Sequence, residues 1–171
     1  KSLRYAFFTE RQARNVPDIP KDTSVTKVAN VAVIGGGTMG SGITMTCADA
    51  GLPVRILEMN DEALSKAMDR IRNTYEVSVK RGSITADQVE ERMARITPVT
   101  SYSDLGDCDM VIEAVFERMD VKIPVFKQLD QSMKQGAILA TNSSALDIDE
   151  IAAATNRPES VIGTHFFSPA N

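Results

Sequence analysis

The sequence has almost none of the residues that small secreted folds and metal sites depend on. Two cysteines, Cys47 and Cys108, in 171 residues cannot build a disulfide framework, and with one histidine, His165, they make no metal-ligand set. No metal is therefore expected, and the two thiols read as buried cysteines of a reducing compartment. No apolar run reaches the roughly 18 residues of a membrane-crossing helix, so no span is expected. A surplus of positive charge is missing too. Lys and Arg number 19 against 23 Asp and Glu, a formal net charge of −4, which argues against nucleic acid as the main partner. The opening KSLRYAFFTERQARNVPDIP is no secretory leader, because its apolar patch Tyr5–Phe8 is short and Glu10, Arg11 and Arg14 follow at once. Repeats and low-complexity tracts are also wanting. The composition that remains, 43% hydrophobic and 25% charged, suits one globular domain burying roughly 68–70% of its unfolded surface.

The most informative stretch is Val28–Gly42, VANVAVIGGGTMGSG. Val28–Ile34 is apolar apart from Asn30, as a strand buried on both faces of a parallel sheet should be. Gly35, Gly37 and Gly40 follow in the order G-x-G-x-x-G, with Gly36 extra, and Thr38–Ala50 reads as a helix. That arrangement turns the chain tightly, lets backbone approach a pyrophosphate and aims the helix N-terminus at it. Glu58 closes the next apolar run, Leu52–Glu58, 23 residues past Gly35, where a carboxylate can take both ribose hydroxyls of NAD. No Arg or Lys directly follows it to welcome a 2′-phosphate, so NAD is expected rather than NADP.

Residues 1–27 read as a short helix, within 1–15, followed by a proline-containing linker, and residues 28–171 as the cofactor-binding domain. Strands are expected at Val28–Ile34, Pro53–Leu57, Arg95–Val99, Asp109–Val115, Ala137–Ala140 and Val161–Phe166. Between the second and third lies a helical hairpin. Its first helix, Glu62–Lys80, is capped by Asn60 or Asp61 and stopped by Gly82; the second starts in the capping-box pattern Thr85-Ala-Asp-Gln. Further helices are expected at Asp120–Met133, with Pro124 in its first turn, and at Ile148–Ala154, capped by Asp147. The alternation implies an α/β, Rossmann-type doubly wound, mainly parallel sheet in the order 3-2-1-4-5-6 with the hairpin inserted.

In such a sheet every parallel strand ends at one edge, and ligands bind beyond it. Strand ends thus nominate Gly35–Gly40, Glu58, Val115–Glu117, Thr141–Ser144 and His165. Oxidising an alcohol with NAD needs a base, and an imidazole, with an ordinary pKa near 6.5, suits that task; a core imidazole is the plainer alternative. Of Ser143 and Ser144, one suits a turn ahead of the next helix and the other a hydrogen bond to a substrate oxygen or nicotinamide. Glu117 and Lys122 at the start of the fourth crossover are equally compatible with surface charge. Lys66, Arg70, Arg72, Lys80 and Arg81 on the hairpin form either a solvated face or an attractor for an anionic handle such as coenzyme A phosphates.

VAVIGGGTMGSGI, VIEAVFERMDVK, ATNSSAL and VIGTHFFSP together resemble the NAD-binding domain of the 3-hydroxyacyl-CoA dehydrogenases over about residues 28–169. The opening segment is similar to the connection between the enoyl-CoA hydratase and dehydrogenase halves of multifunctional fatty-acid oxidation enzymes. The resemblance implies NAD-dependent oxidation of (3S)-3-hydroxyacyl-CoA to 3-oxoacyl-CoA, with His165 as catalytic base and Ser144 at the substrate oxygen. It implies NAD contacts at Gly35, Gly37, Thr38, Met39 and Gly40 in the phosphate turn, and at Glu58 on the adenosine ribose. Val115, Phe116, Glu117 and Lys122 would lie around the nicotinamide ribose, with Ser144 and Ser168 near the nicotinamide; many members carry Asn at the last position. Thr74 and Arg81 match hairpin positions that approach coenzyme A. The family also pairs its histidine with a glutamate about twelve residues later, beyond Asn171, and adds a helical C-terminal domain, so the chain reads as part of a longer, oligomeric protein. A thiolase subunit is one candidate partner; the implied location is the bacterial cytoplasm, or the peroxisome in a eukaryote. A non-catalytic NAD-binding module and a dehydrogenase of small hydroxy acids are the rival readings.

Overall fold

The computed structural model describes residues 2–12, 16, 19–20 and 22–170. An exposed helix α1, Ser2–Gln12, lies in the segment expected to hold a short helix. Six strands then form one sheet: β1 Val31–Ile34, β2 Val54–Leu57, β3 Ile96–Val99, β4 Met110–Glu113, β5 Ile138–Thr141 and β6 Val161–Gly163. They stand in the expected order, β3-β2-β1-β4-β5-β6, and every pairing is parallel. Alternate residues of β1 serve opposite faces. Val31 and Val33 join a core layer with α2 (Thr38–Asp49), α3 (Asp61–Lys80) and α4 (Ala86–Met93); Ala32 and Ile34 join a second layer with α5 (Met119–Ser132) and α6 (Ile148–Ala153). Cys47 and Cys108 are both buried, one in each layer, and burial pushes the Cys47 thiol up to about 11.

Local chemistry accounts for the ends of the elements. Asn60, rather than Asp61, caps α3 by accepting from the Ala63 N–H at 2.9 Å. Thr85 and Gln88 close a reciprocal capping box on α4, and Asp147 caps α6. Pro98 is tolerated in β3 because that strand is the sheet's edge.

Three strand boundaries differ from expectation by more than one residue, and one proline lies elsewhere in its helix than expected. Pairing of β1 begins at Val31 rather than Val28, because the N–H groups of Ala29 and Asn30 donate to the Asp109 carboxylate at 2.7 and 2.9 Å. β4 is shorter than 109–115, since beyond Glu113 the chain turns into the crevice. Pro124 sits in the second turn of α5, not the first, and on an exposed side where water can serve the carbonyl it leaves unpaired. β6 stops at Gly163 because β5, its sole neighbour in the sheet, ends at Thr141. The last rung is Thr164 N–H to the Thr141 carbonyl, 2.8 Å, and the Asn142 side chain then takes the Phe166 N–H at 2.8 Å.

Candidate active site

At the end of β1 the backbone of Gly35 adopts φ +94°, open to glycine at little strain, and its N–H donates to the Leu57 carbonyl at 2.9 Å. A Cβ on Gly40 would lie 1.7 Å from the Gly35 carbonyl oxygen, so helix and strand touch there through bare backbone. Gly36, extra to the motif, is needed as well: its Cβ would meet that of Ala67 on α3 at 2.3 Å. Gly37 is different. It is exposed, and a Cβ there would meet nothing within 4 Å. The bare N-terminus of α2 begins beside it, with Gly37 as N-cap and no side chain bonded to the first-turn N–H groups. This is a cradle with free donors and room for a phosphate, and NAD fits it. Thr38 is exposed and Met39 half-buried at its lip.

The carboxylate of Glu58 is held at the same edge. One oxygen accepts from the Gly36 N–H at 2.6 Å and the other from the Met59 N–H at 3.3 Å. Arg70, reaching across from α3, donates to the Gly36 carbonyl at 3.0 Å, a brace that sequence spacing could not reveal.

On the other side of β1 a buried charge network occupies the ends of β4 and β5. Glu113 is fully buried. Its two oxygens receive the Lys122 ammonium at 2.7 and 2.8 Å, the Val115 N–H at 2.7 Å and the Thr141 hydroxyl at 2.7 Å. Lys122 is itself buried and lies 3.3 Å from Glu117. The Lys122 ammonium, expected around a nicotinamide ribose, is held by Glu113 and Glu117. Glu117 gathers the turn after β5: the Ser143 hydroxyl at 2.6 Å and the N–H groups of Ser144 and Ala145 at 2.7 and 3.1 Å. Burial alone would raise its pKa, but these donors and the Lys122 charge outweigh it and hold the carboxyl at about 2.

Of the two serines, Ser143 makes the turn expected of one of the pair. Ser143 is buried and also accepts from the Leu146 N–H at 3.0 Å, completing a turn, whereas Ser144 is exposed at the crevice. Val115 is half-buried and Phe116 is 81% exposed. His165 is exposed, not a core imidazole; its ring rests against Phe167 with centroids 4.7 Å apart. It follows the end of β6, next to the β5 end that carries Ser144, and Ser168 lies exposed three residues on.

The hairpin cations do not act together. Lys66, Arg70 and Arg81 line a cleft of about 870 Å³ with Thr74 and Pro169, while Arg72 pairs with Glu90 of α4 at 2.7 Å. Next to Pro169, which lines this cleft, the Ala170 carbonyl accepts a hydrogen bond from the Thr46 hydroxyl.

Glu113 escaped the sequence reading, although one signal was present: a carboxylate inside the otherwise apolar run MVIEAV must find a cation once buried. Asn142 is nominated only within Thr141–Ser144, with no role of its own.

Parallel strands, a glycine cradle at the first helix and a carboxylate at the second strand's end define a dinucleotide-binding domain of the doubly wound class. Residues 30–171 match the family described as 3-hydroxyacyl-CoA dehydrogenase, NAD binding domain, and the chain belongs to that family. It is 43% identical over 177 residues to the peroxisomal bifunctional enzyme of Cavia porcellus, covering 100% of this chain and 24% of the relative. Against the fatty acid oxidation complex subunit alpha of Shewanella amazonensis it is 37% identical over 169 residues, covering 98% of this chain and 24% of that protein. The crystal structure of 3-hydroxybutyryl-CoA dehydrogenase from Escherichia coli K12 superimposes with a TM-score of 0.81 at 42% identity, over 85% of this chain and 31% of that one. The chain thus spans about a quarter of the length of these curated relatives. No helix among the described residues is long and apolar enough to cross a membrane.

Proposed function

We propose that this chain is the NAD-binding part of an enzyme that oxidises (3S)-3-hydroxyacyl-CoA to 3-oxoacyl-CoA in fatty-acid β-oxidation. The observation that carries the reading is the exposed His165 at the crevice edge, beside the strand end that carries exposed Ser144. Dinucleotide binding alone needs neither residue. When bound, NAD supplies the hydride acceptor. His165 takes the proton of the substrate hydroxyl, and Ser144, its backbone fixed by Glu117, holds the same oxygen. Gly37 and the N-terminus of α2 receive the pyrophosphate, with Gly35, Thr38, Met39 and Gly40 forming the rest of the turn. Glu58 accepts from the adenosine ribose. Val115, Phe116 and Glu117 flank the nicotinamide ribose, with Lys122 acting through Glu117, and Ser168 lies near the nicotinamide. The acyl-CoA handle occupies the cleft beside Thr74 and Arg81, whose lining sets Lys66, Arg70 and Arg81 against the single carboxylate of Asp69, a net positive balance that suits phosphates. Residues 1–27 serve as an N-terminal helix and linker to this domain, and an oligomeric assembly, with a thiolase subunit as a candidate partner, belongs to the same reading. So does a location in the bacterial cytoplasm or, in a eukaryote, the peroxisome.

The test is turnover by the full-length protein. Reduction of acetoacetyl-CoA with NADH, and negligible reduction of small 2-oxo acids, is expected; the reverse preference refutes the assignment.

A further inference from the structure

Among the described residues, the Glu113–Lys122 pair is the deepest group of charges that the proposed chemistry does not use directly. Every acceptor position of Glu113 is filled: Lys122 binds both oxygens, Val115 N–H adds to one and the Thr141 hydroxyl to the other. Buried pairs of this kind contribute little net stability compared with apolar residues of equal volume. What this one supplies is direction. Three chain segments meet on it: the turn after β4 through Val115, the first turn of α5 through Lys122, and β5 through Thr141. The ammonium then lies 3.3 Å from Glu117, whose other oxygen gathers the donors of the Ser143–Ala145 turn.

We propose that Glu113 is a positioning residue of the dinucleotide site, anchoring Lys122 so that the Val115–Glu117 and Ser143–Ala145 turns are held in register on the nicotinamide side of the crevice. This rests on the reading of the crevice as an NAD site. A dinucleotide straddles the point where strand order reverses, so its adenosine half lies over β1 and β2 and its other half over β4 and β5. Glu113 touches only the second half. With Gln at 113, two of the four donor contacts, one of them from Lys122, meet an amide N–H₂ instead of an acceptor. Lys122 is then drawn toward Glu117 and competes with Ser143, Ser144 and Ala145 for it.

The experiment is calorimetric titration of the protein and its E113Q variant with NADH and separately with AMP, which samples the adenosine half alone. E113Q should raise the Kd for NADH about tenfold and leave that for AMP within twofold. Equal weakening of both ligands, as general loosening would give, overturns the proposal, and so does unchanged NADH affinity. If E113Q fails to fold, the charge-free pair E113Q/K122M, which leaves no buried ion unpaired, should show the same split; its binding NADH within twofold of the unsubstituted protein overturns the proposal. Failure of the unsubstituted protein to bind either ligand refutes the dinucleotide reading itself, and the proposal falls with it.

Discussion

Two glycines three residues apart, Gly37 and Gly40, should respond to alanine in opposite ways. At Gly40 the new Cβ would sit 1.7 Å from the Gly35 carbonyl oxygen, where an ordinary contact begins near 3.4 Å. The obstruction is backbone, on the turn that ends the central strand, so no side chain can rotate away. Helix α2 must back off by about 1.7 Å, opening the layer that packs Ile43, Met45 and Ala48 against β1. Overpacking typically costs about 1–3 kcal/mol, and this rigid case belongs at the upper end. For a chain of this length that is a fall in Tm on the order of 6–12 °C. At Gly37 the Cβ meets no protein atom within 4 Å, and φ −64° and ψ −168° suit alanine. Losing glycine at an N-cap costs below about 1 kcal/mol. The added methyl instead occupies the space assigned to the pyrophosphate, and NADH affinity should fall about tenfold or more, roughly 1.4 kcal/mol. With no tryptophan in the chain, unfolding is best followed by far-UV circular dichroism and binding by calorimetry. A G40A variant as stable as the unsubstituted protein refutes the packing argument. A G37A variant binding NADH unchanged removes the phosphate from this turn.

Glu58, held by the N–H groups of Gly36 and Met59, should make the protein prefer NADH to NADPH by repelling a 2′-phosphate. Parallel calorimetric titrations check this, and equal affinities would refute it. Glu117 is held at about 2, below the ordinary carboxyl value near 4.3, so its contribution to stability is complete above that value and is lost as pH falls from about 4.3 toward 2. Urea midpoints across that range should therefore drop more for the unsubstituted protein than for E117Q; identical slopes would contradict the network. His165→Gln in the full-length protein should lower kcat roughly 10²–10⁴-fold while NADH affinity stays nearly intact. A variant within tenfold of the unsubstituted enzyme would place the base elsewhere.

Much of this architecture is written in short-range pattern. An apolar run followed by Gly35–Gly40 and a helix, Glu58 at the next strand's end, and Thr85 three residues ahead of Gln88 are all local signals. They were legible because a parallel strand buried on both faces, a glycine turn and a helix cap each depend on neighbours a few residues away. From those signals the strand order and the crevice-edge residues followed. The structure decided what depends on contacts between distant segments. It turned Lys122, which in sequence could pass for surface charge, into a buried partner of Glu113, because the end of β4 and the first turns of α5 meet only when the crossover closes. Only Ala67, 31 positions along the chain, explains the extra glycine at Gly36. The early end of β6 and the hold of Asn142 on Phe166 were set by where the neighbouring strand ran out. Residue pattern thus determined which elements form and where the crevice lies. Tertiary packing decided which of its charges face the crevice and which are neutralised beneath it, because burial and pairing of a charge depend on what the rest of the chain brings against it.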